Sequence, residues 1–61
     1  MPNEYTFSVT YQNKFIGINR HVWVKLFADC EADAFKSCLD EAYKHINSYE
    51  GLYKIDLIYV T

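Results

Sequence analysis

The feature that most constrains this chain is a strict alternation of side-chain character near its N-terminus. In the run EYTFSVTY, residues 4–11, the side chains of Tyr5, Phe7, Val9 and Tyr11 alternate with polar ones. Successive side chains of a β-strand point to opposite faces, so this pattern predicts a strand with one buried and one open face. Such a strand needs a second layer of structure to cover its apolar face.

Two further runs have the same period of two. Residues 21–28, HVWVKLFA, and residues 52–60, LYKIDLIYV, each predict a strand. In the second strand the covered face is predicted to consist of Val22, Val24 and Leu26. In the last strand, simple alternation predicts one face of Tyr53, Ile55, Leu57 and Tyr59 and another of Lys54, Asp56, Ile58 and Val60.

Between these strands the period changes to that of a helix. From residue 30 to residue 46 the apolar positions recur at intervals of three and four, which is typical of an amphipathic helix. They are Ala34, Phe35, Cys38, Leu39, Ala42 and Ile46. Asp29 is the predicted N-cap, because its carboxylate can accept hydrogen bonds from the first free N–H groups.

The order of elements is therefore ββαβ, in one α+β domain that covers residues 1–61. One helix covers one face of a three-stranded sheet. The last strand can pair parallel to the second strand or antiparallel to the first. We favour the antiparallel order 2-1-3, in which the helix crosses over to the far strand in the right-handed sense.

The connection between the first two strands contains Phe15, Ile16 and Ile18 around Gly17. In one interpretation the first strand runs past Tyr11, the chain turns at residues 12–14, and Gly17 is a bulge in the second strand. In the other, a nine-residue loop presents the three apolar side chains for recognition. Either way they lie beyond the reach of one helix, and must cover the open sheet face or meet a partner.

No set of residues forms a catalytic or cofactor motif, and we predict neither an enzyme nor a cofactor. There is no phosphate-binding glycine loop and no CxxC or HxxxH spacing for a metal. Cys30 and Cys38 lie eight positions apart, about 12 Å along a helix. A disulfide needs Cα atoms closer than about 7 Å, so we predict two unpaired thiols, with Cys38 buried and inert.

Composition sets the broad class. The 61 residues are 51% hydrophobic, 18% aromatic and carry a formal net charge of −2, which is typical of a folded domain. The chain has no apolar run long enough to span a membrane and no signal-peptide pattern, which together predict a cytoplasmic protein. So short a chain is marginally stable alone, and we predict that it self-associates or binds a partner.

Three surfaces are candidates for partner binding. The open sheet face carries Trp23, Lys25 and Phe27, the connection carries Phe15, Ile16 and Ile18, and the helix carries the acids Glu31, Asp33, Asp40 and Glu41. Aromatics on an open face serve protein binding or, beside Lys25 and Lys54, the stacking of nucleic-acid bases. Alternatively, the N-terminus or the connection folds over this face as a second small core.

Charge is distributed unevenly between the two parts of the chain. Residues 29–50 contain six acids and two lysines, whereas the rest contains four bases and two acids. The absence of a Lys/Arg cluster disfavours nucleic acid as the partner, although it stays an alternative. We therefore predict that the partner is another protein, and a homodimerising structural module is a further alternative.

In size, ββαβ economy, missing catalytic motif and uneven charge, the chain resembles the small cytosolic proteins that bacteriophages encode to block host defence or host enzymes, such as anti-CRISPR proteins. The resemblance implies an inhibitor that acts by steric occlusion. An apolar sheet face would cover a functional surface of the target, or the acidic helix would take the place of phosphates in a basic groove.

Overall fold

The computed structural model describes residues 2–61. The elements are β1 (Asn3–Asn13), β2 (Asn19–Ala28), α1 (Glu31–Lys44) and β3 (Glu50–Val60). The sheet has the order β2-β1-β3, and β1 pairs antiparallel with both neighbours. The predicted ββαβ fold and the 2-1-3 strand order are confirmed.

The core lies between β1 and a stripe of small residues on α1. Ala34, Cys38 and Ala42, one helical turn apart, are buried against the helix-facing side of β1. The β1 side chains there are buried, whereas those of β2 and β3 are only partly buried, as expected for the central strand of the sheet. The β1 contribution to this core is Tyr5, Phe7, Val9 and Tyr11. The hydroxyl of Tyr11 donates a 2.7 Å hydrogen bond to the carbonyl of Ala42, which fixes the end of the helix on the sheet.

The predicted ends of the helix are partly wrong. The N-cap residue is Cys30 and not Asp29, and no side chain forms a capping hydrogen bond. The helix ends at Lys44, so Ile46 packs against the core from the following loop. Phe35 is 44% exposed and contacts Phe7 edge-on, because the small residues already form the closest contact with the sheet.

The predicted faces of β3 are partly wrong, because the β1–β3 pairing contains two irregularities. The register shifts between Thr6 and Phe7 and again between Thr10 and Tyr11, which leaves an extra residue in β3 at each place. Tyr11 therefore pairs with Leu52, and Tyr5 pairs with Val60. Opposed residues of an antiparallel pair share a face. The helix side of β3 is accordingly Leu52, Ile55, Leu57 and Val60, and the open side includes Lys54, Asp56 and Tyr59.

The connection between β1 and β2 matches neither interpretation completely. The first strand does run past Tyr11, but to Asn13, and β2 begins only at Asn19. Residues 14–18 form a short turn, and Gly17, with a φ of 72°, lies in this turn and not in a strand, so it is not a bulge of β2. The loop is thus shorter than nine residues.

A partly buried ion pair closes the end of the sheet next to this turn. Arg20 of β2 donates to both carboxylate oxygens of Glu50 at 3.0 and 2.8 Å, and also to the carbonyl of His45 at 3.2 Å. The backbone N–H of Asn47 donates to the same carboxylate. The guanidinium lies 4.3 Å from the ring centroid of Tyr11. These contacts join β2, the end of α1 and the start of β3.

Candidate interaction surface

The turn between β1 and β2 holds three large apolar side chains out from the molecule. Phe15 is 81% exposed, Ile16 67% and Ile18 65%. The backbone beneath them is fixed: the Asn13 side-chain oxygen accepts from the N–H groups of Phe15 at 2.9 Å and Ile16 at 3.1 Å. A side chain that bonds the backbone two or three residues ahead stabilises a tight turn.

Backbone bonds complete this support. Asn13 donates its N–H to the carbonyl of Ile18, and Gly17 donates to the carbonyl of Asn13. The Lys14 N–H donates to the carbonyl of Tyr49 and so ties the turn to the loop before β3. We call Phe15, Ile16 and Ile18 the hairpin tip. It is an apolar projection on an ordered backbone.

The open sheet face is the second exposed surface. Pairing with β1 places His21, Trp23, Lys25 and Phe27 of β2 on it, with Trp23 66% and Phe27 70% exposed. Tyr59 of β3, which the alternation assigned to the other face, lies here too, because it pairs with Thr6. Sequence reasoning missed Tyr59, since no local signal marks the irregularity between Leu57 and Tyr59 that moves its side chain to the open face.

The centre of the open face is polar and shielded by its neighbours. Thr6 and Thr10 are buried although they point away from the helix. Their cross-strand partners are longer residues on both sides, and Thr10 shares a 3.0 Å hydrogen bond with His21. The alternative that the N-terminus or the turn covers this face is wrong, because Trp23, Phe27 and the hairpin tip all stay exposed.

The charges of the open face are close to balanced. Lys54 lies 3.5 Å from Asp56 on the same strand, which neutralises one of the two lysines proposed for phosphate binding. Glu4 is the direct cross-strand partner of Phe27. The face therefore presents aromatic surface with little excess positive charge.

The acids of the helix do not form one continuous acidic surface. Asp33 and Asp40 lie on its exposed side, where Lys36 falls between them. Glu41 is half-buried and lies 3.4 Å from Lys44 and 3.5 Å from His45. Glu31 lies in the first turn, where its charge suits the positive end of the helix dipole. The interleaved lysines dilute the negative potential of this side.

Both cysteines are unpaired, as the spacing predicted. Cys38 is buried, and desolvation, followed by the nearby charge of Glu41, raises the pKa of its thiol. Cys30 is exposed at the start of the helix.

No pocket and no cluster of three or more potential metal ligands occurs among residues 2–61. Within the same residues no helix is both long and apolar enough to cross a membrane. No protein-family model, curated protein or solved structure matches the chain.

Proposed function

We propose that the protein is a non-enzymatic module that binds another protein through the hairpin tip and the adjoining sheet surface. The carrying observation is the hairpin tip itself, three exposed apolar side chains on a hydrogen-bonded turn. Such a rigid projection loses little conformational freedom on binding, and preorganisation of this kind raises affinity. Exposed contiguous apolar surface on a small protein supports the same proposal.

The mechanism that we propose is steric occlusion. An apolar projection that enters a cleft on its partner excludes other ligands from that cleft, and the protein would then act as an inhibitor. We base the proposal on the hairpin tip and not on acidic mimicry, because lysines interrupt the acids of α1.

A comparison of capture from cell lysate tests this proposal. The wild type is compared with a variant in which Phe15, Ile16 and Ile18 are all changed to Ser. The matched control is Tyr43→Ser, which removes an exposed aromatic side chain from α1. We expect a captured protein that is lost with the tip variant and kept with the control.

The salt dependence of binding separates the two occlusion mechanisms. Apolar contacts of the hairpin tip depend little on ionic strength, whereas competition for a basic groove weakens steeply with salt. Binding that survives loss of the tip and disappears at high salt would overturn the proposal in favour of the acidic helix.

The clustering of Trp23, Phe27 and Tyr59 on one face favours a second candidate, single-stranded nucleic-acid binding. Stacking of a base on an aromatic side chain contributes about 1–3 kcal/mol. Trp23 is the only tryptophan, so quenching of its fluorescence by an oligonucleotide reports on this face alone. Quenching that Lys25→Ala weakens would support this candidate, and unchanged fluorescence would reject it.

A further inference from the structure

The exposed edge of β2 is a regular, unbulged strand that is open to pairing. The register between β1 and β2 runs without a shift from Asn3–Ala28 to Gln12–Asn19. The opposite edge of the sheet, β3, has two irregularities, which are devices that discourage strand pairing. The two edges of the sheet therefore differ in their capacity to accept another strand.

The hydrogen bond that closes the β1–β2 hairpin identifies which backbone groups of β2 face outwards. Asn13 donates to Ile18, one position beyond the last strand pair. Hydrogen-bonded and non-hydrogen-bonded pairs alternate along an antiparallel ladder. Val22 and Val24 consequently bond to β1. The residues whose N–H and C=O groups point to the free edge are Asn19, His21, Trp23, Lys25 and Phe27.

We propose that a second copy of this chain pairs with this edge, antiparallel, with Val24 on the twofold axis. The two sheets then form one six-stranded sheet with both helices on the same side. His21, Trp23, Lys25 and Phe27 of each copy then form about eight backbone hydrogen bonds. On the helix side, Val22, Val24 and Leu26 of β2 stay partly exposed, so α1 does not enclose this edge.

Side-chain complementarity selects this register. With Val24 on the axis, Lys25 lies opposite Trp23 of the second copy, where its ammonium can contact the indole. Phe27 then lies opposite His21. On the helix side Val22 meets Leu26, so two half-exposed apolar residues become covered.

The neighbouring registers are less favourable. Centring the axis on Lys25 places two ammonium groups opposite one another, which is destabilising. Centring it on Trp23 places Leu26 opposite Arg20, whose guanidinium is already bound to Glu50. This inference is independent of the proposed function, although pairing would also join the two open faces into one aromatic surface.

Sedimentation of charge variants tests the pairing. We expect the wild type to form a dimer at about 100 µM, and Trp23→Lys to weaken it by at least about tenfold, because ammonium groups then face each other on both sides of the axis. Trp23 is exposed, so the variant should stay folded, and circular dichroism checks this. The double variant Trp23→Lys/Lys25→Trp restores the complementary pairs and should restore the dimer. The control Phe15→Lys, outside β2, should leave it unchanged.

Cross-linking tests the register. In a Cys30→Ser background, Val24→Cys places two thiols at a non-hydrogen-bonded pair, about 4.5 Å between Cα atoms, within reach of a disulfide. Oxidised glutathione should link this variant and should not link Trp23→Cys or Lys25→Cys alone.

A monomeric wild type, or a dimer that Trp23→Lys leaves intact, would overturn the pairing. Failure of the double variant to restore the dimer would overturn the register. A monomer that still captures its partner through the hairpin tip would reject only the edge pairing and leave the proposed function standing.

Discussion

At the scale of single residues, Arg20 and Glu50 hold the end of the molecule together. The Glu50 carboxylate is buried and accepts two hydrogen bonds from Arg20 and one from the backbone of Asn47. The hydrogen bonds from Arg20 are the main reason that the pKa of Glu50 lies below its usual value. Glu50 belongs to the net acidic segment of residues 29–50 and Arg20 to the net basic remainder of the chain. Their pairing therefore removes part of the predicted separation of charge between two sides of the molecule.

This lowered pKa predicts a pH dependence of stability. Between the pKa of folded Glu50 and the ordinary value near 4.3, the unfolded chain binds more protons than the folded one. The stabilisation by this carboxylate is therefore complete above the ordinary value and is lost as the pH falls through the folded pKa. Thermal melts of the wild type from pH 7 to pH 3 should show this fall.

The Glu50→Gln variant isolates the contribution of this carboxylate. It should melt at a lower temperature than the wild type at pH 7. Its melting temperature should also fall less than that of the wild type when the pH is lowered. The control is Glu41→Gln, which alters a more exposed pair and should behave like the wild type. If both variants had the same pH profile as the wild type, Glu50 would contribute nothing specific.

The two cysteines should differ in reactivity. Burial raises the pKa of the Cys38 thiol and restricts access to it, while Cys30 is exposed. Titration with a chromogenic disulfide should count one thiol rapidly in the folded protein and two after denaturation. Equal rates for both thiols in the folded protein would show that the helix stripe opens readily.

At the scale of elements, the turn depends on Gly17. Its φ of 72° lies in the left-handed region, and a Cβ there would meet nothing within 4 Å. The cost of Gly17→Ala is therefore purely conformational, about 1–2 kcal/mol. Gly51→Ala is the control, since its added Cβ would meet the Lys14 side chain at an ordinary 3.7 Å. Chemical denaturation should show a clearly lower free energy of unfolding for Gly17→Ala and little change for Gly51→Ala.

The helix depends on the small size of its buried stripe. Ala34 is fully buried against the sheet, so Ala34→Leu overpacks the interface and should cost about 1–3 kcal/mol. Ala32 lies on the exposed side of the same helix, where Ala32→Leu should change stability by less than about 0.5 kcal/mol. Equal effects on urea denaturation would contradict the close approach of α1 to β1.

At the scale of the whole molecule, only one face of the sheet forms a core among the residues that the structure describes. A domain of this length has a stability of roughly 3–9 kcal/mol. Phe7→Ala removes a buried ring and should cost about 3–5 kcal/mol, enough to unfold much of the population. Trp23→Ala on the open face should cost less than about 1 kcal/mol. Circular dichroism that shows Trp23→Ala unfolded would contradict this prediction and show that the exposed indole contributes strongly to stability.

The sequence by itself determined the element types, their order and the covered face of β1. These follow from local periodicity, since alternation of two and repeats of three and four reflect the geometry of strand and helix. The sequence also determined that the hairpin tip lies beyond the reach of one short helix, but the structure decided that it stays exposed and does not cover the open sheet face. The turn predicted at residues 12–14 lies close to the observed one, although the prediction of Gly17 as a bulge in β2 is wrong.

The tertiary structure alone decided the faces of β3, the Arg20–Glu50 pair and the composition of the open surface. Tyr59 lies beside Thr6 because β3 accommodates one extra residue, Ile58, between Leu57 and Tyr59, and such irregularities depend on the partner strand and not on local pattern. Arg20 and Glu50 lie thirty positions apart and meet only after the crossover returns the chain to the same end of the sheet. Local periodicity contains no information about contacts of that range, which are set by how the layers pack.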